Sequence, residues 1–114
     1  MSRPLKSFSS SVTIANGAST SAAIDTKNRT LAGISTPSAL TNSQIFLETS
    51  EDGVTWLPVY DDQNTRYSVT VSTSEARFYN LSLLQTNCLR YVRLKTTNNE
   101  GALRTFRYHV RIVR

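Results

Sequence analysis

Residues 90–114, RYVRLKTTNNEGALRTFRYHVRIVR, read as two alternating β-strands joined by a polar turn region. Successive side chains of a strand point to opposite faces. Phe106, Tyr108, Val110 and Ile112 therefore share one face of the second strand, and Thr105, Arg107, His109 and Arg111 share the other. The first face is expected to make core and the second a cationic stripe. In the preceding strand Arg93 and Lys95 alternate with Val92 and Leu94, so pairing of the two strands would set Arg93 and Lys95 beside Arg107 and Arg111. From Asn87 to Arg114 there are seven Lys and Arg against the single acid Glu100, a local charge of +6 in a chain whose net charge is +5. The basicity is placed, not spread. Cations opposite one another across a ladder destabilise it, which calls for acidic groups from another strand or another chain.

Upstream, short apolar-alternating segments recur between turn signals at the spacing of an all-β sandwich. Val12 and Ile14 begin the first, which stops at Asn16-Gly17; Ala22 to Asp25 and Leu31 to Ser35 follow. Ile45 to Thr49 and Val54 to Tyr60 flank Ser50-Glu51-Asp52-Gly53, where Asp-Gly supplies the positive φ of a hairpin turn. Pro58 marks the second of these strands as an edge or bulge. Tyr67 to Val71 and Arg77 to Leu81 complete the set, and Leu81 to Asn87 is the one candidate helical turn, with Leu83 and Leu84 plugging an end of the sandwich. The expected fold is all-β, an antiparallel, jelly-roll-like β-sandwich of eight or nine strands with at most one short helical turn. Residues 1–11, polar and aperiodic, are expected to form a flexible basic N-terminal arm carrying Arg3 and Lys6, and residues 12–114 a single sandwich domain.

With 114 residues, 39% of them hydrophobic, one core is affordable without a disulfide or metal staple. Cys88, the only cysteine, is expected to be a buried, inert thiol. No apolar run near the start resembles a signal sequence and none is long enough to span a membrane, so a soluble chain made in the host cytoplasm and not exported by a cleavable signal is expected, and the two Asn-x-Ser/Thr matches at Asn28 and Asn80 are read as chance. Catalysis finds little material. The single histidine, His109, lies between two arginines, which makes a poor metal site, and there is no nucleophile-elbow pattern, zinc spacing, phosphate-cradling loop or dinucleotide fingerprint. Glu48, Glu51 and Asp52, like Asp61 and Asp62, sit around turns, where acids serve the backbone. No enzyme activity, cofactor or metal is expected. Nucleic acid is not the expected partner either, because Phe106 and Tyr108 point to the core and are lost to base stacking. Trp56 and Tyr60 share a face of their strand; core is the expected role, and a sugar platform the alternative.

Two resemblances follow from these residues. TSEDGVTWLPVY (49–60) with RYVRL (90–94) resembles the signature of discoidin-type, galactose-binding-like jelly rolls, which implies the fold but not the ligand. Over nearly its whole length, from SVTIANGA (11–18) through LAGI (31–34), Pro37, Asp52-Gly53, Tyr60-Asp61-Asp62 and RYVRL, the chain resembles small β-sandwich virion structural proteins of tailed bacteriophages. That resemblance implies a non-enzymatic head decoration or cement protein on the capsid surface, a homo-oligomer (dimer or trimer) bound to the major capsid protein or other virion proteins. The partner-binding residues expected for it are Arg3, Lys6, Arg93, Lys95, Arg107 and Arg111. The alternative is a carbohydrate-binding module or receptor-binding part of a phage tail, using Trp56 and Tyr60.

Overall fold

A computed structural model describes residues 7–27 and 29–112. Nine strands and one short helix follow in order: β1 (Ser7–Ile14), β2 (Ile24–Asp25), β3 (Thr30–Ser35), β4 (Gln44–Ser50), β5 (Leu57–Pro58), β6 (Ser68–Thr70), β7 (Phe78–Asn80), α1 (Leu83–Thr86), β8 (Tyr91–Thr96) and β9 (Arg104–Arg111). They form an antiparallel β-sandwich. The first sheet runs β1-β9-β3-β7, and the second runs β2-β8-β4-β5 with β6 also paired to β4. The alternation read from the sequence does the sorting: Val12, Ile14, Leu31, Ile34, Phe106 and Val110 of the first sheet meet Ile24, Ile45, Leu47, Val92 and Leu94 of the second, all buried. Each such side chain removed from water stabilises the fold by about 1.5–3 kcal/mol.

The two arginine-bearing strands do not pair. β8 lies between β2 and β4, and β9 lies between β1 and β3, so Arg93 and Lys95 stand on the opposite side of the molecule from Arg107 and Arg111. Both strands have one apolar face, and placing them in different sheets lets Val92 and Leu94 face Phe106 across the core. The segment between them is pinned at one end of the sandwich by Glu100. Its main chain pairs with Gly17 and Ala18, and its buried carboxylate accepts hydrogen bonds from the backbone N–H of Thr41 (2.8 Å) and Asn42 (3.2 Å), from the Asn42 amide and from Arg104 Nε (3.0 Å). Burial works against ionising this carboxyl, yet the donors outweigh it and its pKa lies below the ordinary value.

Other expectations are corrected in detail. Ser7–Ser11, expected in the arm, are the first part of β1; residues 1–6, with Arg3 and Lys6, lie outside the described residues. The segment 54–60 keeps only two strand residues, Leu57 and Pro58, at the sheet edge, because residues 51–56 are taken up by the turn: Asp52 Oδ1 accepts from the N–H groups of Val54 and Thr55 and from Ser50 Oγ, while Gly53 takes φ +80°. Those bonds, led by the Thr55 and Val54 N–H groups, lower the Asp52 pKa to about 2. The helical turn forms, but Thr86 is its buried residue, Leu81 is buried just before it, and Leu84 is 84% exposed. Cys88 is exposed rather than buried. Among the described residues no helix is long and apolar enough to cross a membrane.

Candidate interaction surface

The outward face of the second sheet is built from Phe46 and Glu48 on β4 and Tyr91, Arg93 and Lys95 on β8, with Glu48 directly opposite Arg93 and Phe46 opposite Lys95. Every arginine here is held twice. Arg93 Nε donates to Glu48 Oε1 at 2.7 Å while its guanidinium lies 4.5 Å over the Trp56 ring. Arg66 reaches Glu48 Oε2 at 3.7 Å and lies 4.5 Å over Phe46. Arg90, at the start of β8, bonds Asp25 at 3.0 Å and lies 5.1 Å over Tyr91. The pKa of Asp25 is lowered first by the Lys27 N–H and then by Arg90. A guanidinium stacked on an aromatic face and paired with a carboxylate has its charge largely answered within the fold. Trp56 is therefore neither core nor an open platform; it is half-buried beneath Arg93. Lys95 alone on this face makes no ion pair among the described residues.

The outward face of the first sheet is differently made. Strand register sets Ser11, Arg107, Ser35 and Phe78 in one row, Ser9, His109, Gly33 and Asn80 in the next, and Arg111 opposite Thr30 beyond. Arg107, His109 and Arg111 thus form a stripe about 14 Å long, from the strand rise of about 3.4 Å per residue. Its neighbours are hydroxyls. Arg107 Nη2 donates to Ser9 Oγ at 2.8 Å, and His109 Nε2 lies 3.4 Å from Ser35 Oγ. Phe78 rests edge-on to His109 with ring centroids 4.9 Å apart and covers Gly33, where a Cβ would come within 2.5 Å of the Phe78 ring. Neither Arg107 nor Arg111 has a carboxylate among the described residues, and the half-buried Arg111 Nε has no hydrogen-bond acceptor there. What this face offers is positive charge on a hydroxyl-lined sheet.

Tyr60, 51% exposed, is bridged to Arg66 beyond the end of β5. It lines a cleft of about 510 Å³ between the β5 edge and α1, together with Leu57, Asp61, Leu84, Gln85 and Asn87. Trp56 does not line this cleft, and its ring is covered by Arg93. The cleft was not legible in the sequence, because it arises where a two-residue edge strand meets a helix that is remote in the chain. Arg66 and Glu48 were likewise not singled out as a pair, because Arg66 lies outside the strands, in an isolated bridge with Tyr60, where alternation assigns no face. Among the described residues no three His, Cys, Asp or Glu side chains gather closely enough to hold a metal ion. Family models, curated protein sequences and solved structures were all compared with this chain, and none matches.

Proposed function

We propose that this chain is a non-enzymatic structural protein of a phage particle, a head decoration or cement protein that docks on an acidic protein surface, and that the docking face is the outer side of the first sheet. The observation that carries this reading is the unanswered charge of Arg107 and Arg111, set beside arginines on the opposite sheet that are all neutralised. A desolvated guanidinium needs a planar acceptor, and carboxylates of a neighbouring protein supply one bidentately. The resemblance to tailed-phage sandwich proteins supplies the setting, and repetition of the same weak contact over a lattice supplies the avidity. The virion surface is the location that follows.

Co-sedimentation with purified phage heads tests this. Binding is expected to weaken as salt rises and to be lost when Arg107 and Arg111 are both replaced by Ala, since exposed charge contacts are screened within about 8 Å at physiological ionic strength. Undiminished binding by the double variant would overturn the assignment of the face. The second reading, a carbohydrate-binding or receptor-binding piece of a tail, now rests on Tyr60 and its cleft with Gln85 and Asn87 rather than on Trp56. Salt-insensitive glycan binding that is abolished by Tyr60→Ala would favour it over the first.

A further inference from the structure

A sandwich has open sheet edges, and each presents unpaired backbone N–H and C=O groups that invite another strand; proteins blunt such edges with short strands, proline, charge or bulges. Three edges of this molecule are blunted. β7 closes one side of the first sheet with three residues; β2 closes one side of the second with two, and β5 (two residues, one of them Pro58) and β6 (three) share its other side along β4. The fourth edge is β1, which among the described residues has none of these devices from Ser7 to Thr13; only Ile14 is bridged on its outer side, by Ser21. Its eight residues, SFSSSVTI, include no charge and no proline, and all eight pair with β9 in an unbroken register. The free side of a long, regular, neutral strand is the exception that the other three edges define.

We infer that β1 pairs with β1 of a second copy of this chain, antiparallel and about a two-fold axis perpendicular to the sheet. A copy fits for reasons of pattern and charge. Directly opposed residues of antiparallel strands point to the same side, so a two-fold centred on a residue keeps inner faces inward in either of two registers. One sets Ser10 opposite Ser10 and Phe8 opposite Val12; the other sets Ser11 opposite Ser11 and Phe8 opposite Ile14. In the first, Phe8, 42% exposed in the single chain, gains Val12 as an apolar neighbour, whereas in the second Ile14 already has Ser21 on that side; in both, the outward hydroxyls of Ser9, Ser11 and Thr13 meet hydroxyls, a favourable cross-strand pairing. The arginines oppose this only weakly. The Arg107 main chains of the two copies are separated by three strand spacings, about 14 Å, and the guanidinium groups, which reach back to Ser9 Oγ, come no nearer one another than about 8 Å, the screening length at physiological salt. The product is a continuous eight-stranded sheet carrying two Arg107, His109 and Arg111 stripes on one face.

Sedimentation of the full chain at low and high salt tests the inference, because backbone pairing is far less sensitive to salt than the charge contacts proposed for docking. The expected mass is twice 12.7 kDa at both, falling to the single-chain mass for Ser10→Lys, whose exposed position leaves the fold intact by circular dichroism. In a Cys88→Ser background, Ser10→Cys or Ser11→Cys, whichever is self-opposed, is expected to form a disulfide-linked dimer on mild oxidation, and Thr13→Cys is not. A monomeric mass for the unmodified chain at every concentration overturns the proposal, as does a dimer that Ser10→Lys leaves intact and that links through neither Ser10→Cys nor Ser11→Cys. A dimer that survives while phage-head binding fails would remove the docking reading alone.

Discussion

The two outer faces of this sandwich carry the same residue type to opposite ends. On the second sheet an arginine is a structural piece: Arg93 and Arg66 share Glu48, and each lies on an aromatic ring. On the first sheet Arg107 and Arg111 stand among serines and threonines with no carboxylate among the described residues. Composition and local charge are the same kind of number for both strands, and only the neighbours differ. A cationic strand therefore says nothing about partners until the adjacent strands are known.

Within β9 itself the contrast is repeated, and the largest effect is expected there. Arg104, at its start, is held by the buried Glu100, 3.0 Å away, while the later arginines are open. Glu100→Ala would leave Arg104 and the Thr41 and Asn42 N–H groups without their acceptor. A loss of about 3 kcal/mol is expected, in line with a buried pair broken on one side. The pH dependence has a definite sign. The folded pKa of Glu100 lies below its ordinary 4.5, so its contribution is complete above that pH and is lost as pH falls through the folded value. Urea denaturation across that range is expected to show the gap between the native chain and Glu100→Ala closing on the acid side; a constant gap would mean that the carboxylate's charge plays no part in the anchor.

How far the sequence discloses this follows from which interactions are periodic. Strand faces are: Val92 and Leu94 inward, Arg93 and Lys95 outward, and Phe106 and Val110 inward were all legible, as was the Asp52-Gly53 turn. Strand partners are not, since alternation is silent about which sheet a strand joins; that is why Arg93 was expected beside Arg107 and is found beside Glu48 instead. Glu100 shows the same limit. In the sequence it is the one acid in a basic segment, a natural surface counter-charge, and in the fold it is 1% exposed and fastens the crossing between sheets. Lone residues whose partners lie 58 or 59 positions away leave no local mark.

A middle-sized effect probes the neutralised face. Glu48→Gln removes the charge that Arg93 and Arg66 share while keeping a hydrogen-bond acceptor of the same shape. Because Arg93 and Arg66 keep 27% and 31% side-chain exposure, water recovers part of the loss, and a destabilisation of about 1 kcal/mol is expected. Trp56, the only tryptophan, lies under the Arg93 guanidinium and reports the change directly. Its emission is expected to shift as the stack loosens, with head binding unchanged. If Glu48→Gln instead strengthened head binding severalfold, the freed arginines of the second sheet would be acting as a docking surface too, and the division between faces would fail.

The smallest expected effect on stability belongs to the residue given the largest part in binding. Arg107 is exposed and its one side-chain bond, to Ser9 Oγ, joins a group that water satisfies equally well. Arg107→Ala is expected to change unfolding free energy by less than about 0.5 kcal/mol, checked by thermal and urea unfolding at low and moderate salt. Spreading cations apart on a ladder relieves repulsion, so any change at low salt should be toward greater stability. A loss above about 1 kcal/mol would show that the guanidinium serves the β1–β9 seam, and the first sheet's arginines would then be structural in the same sense as those of the second. Near-neutrality is the outcome that separates the two faces: a buried-side cost on one, and on the other a charge the fold does not use and a partner can.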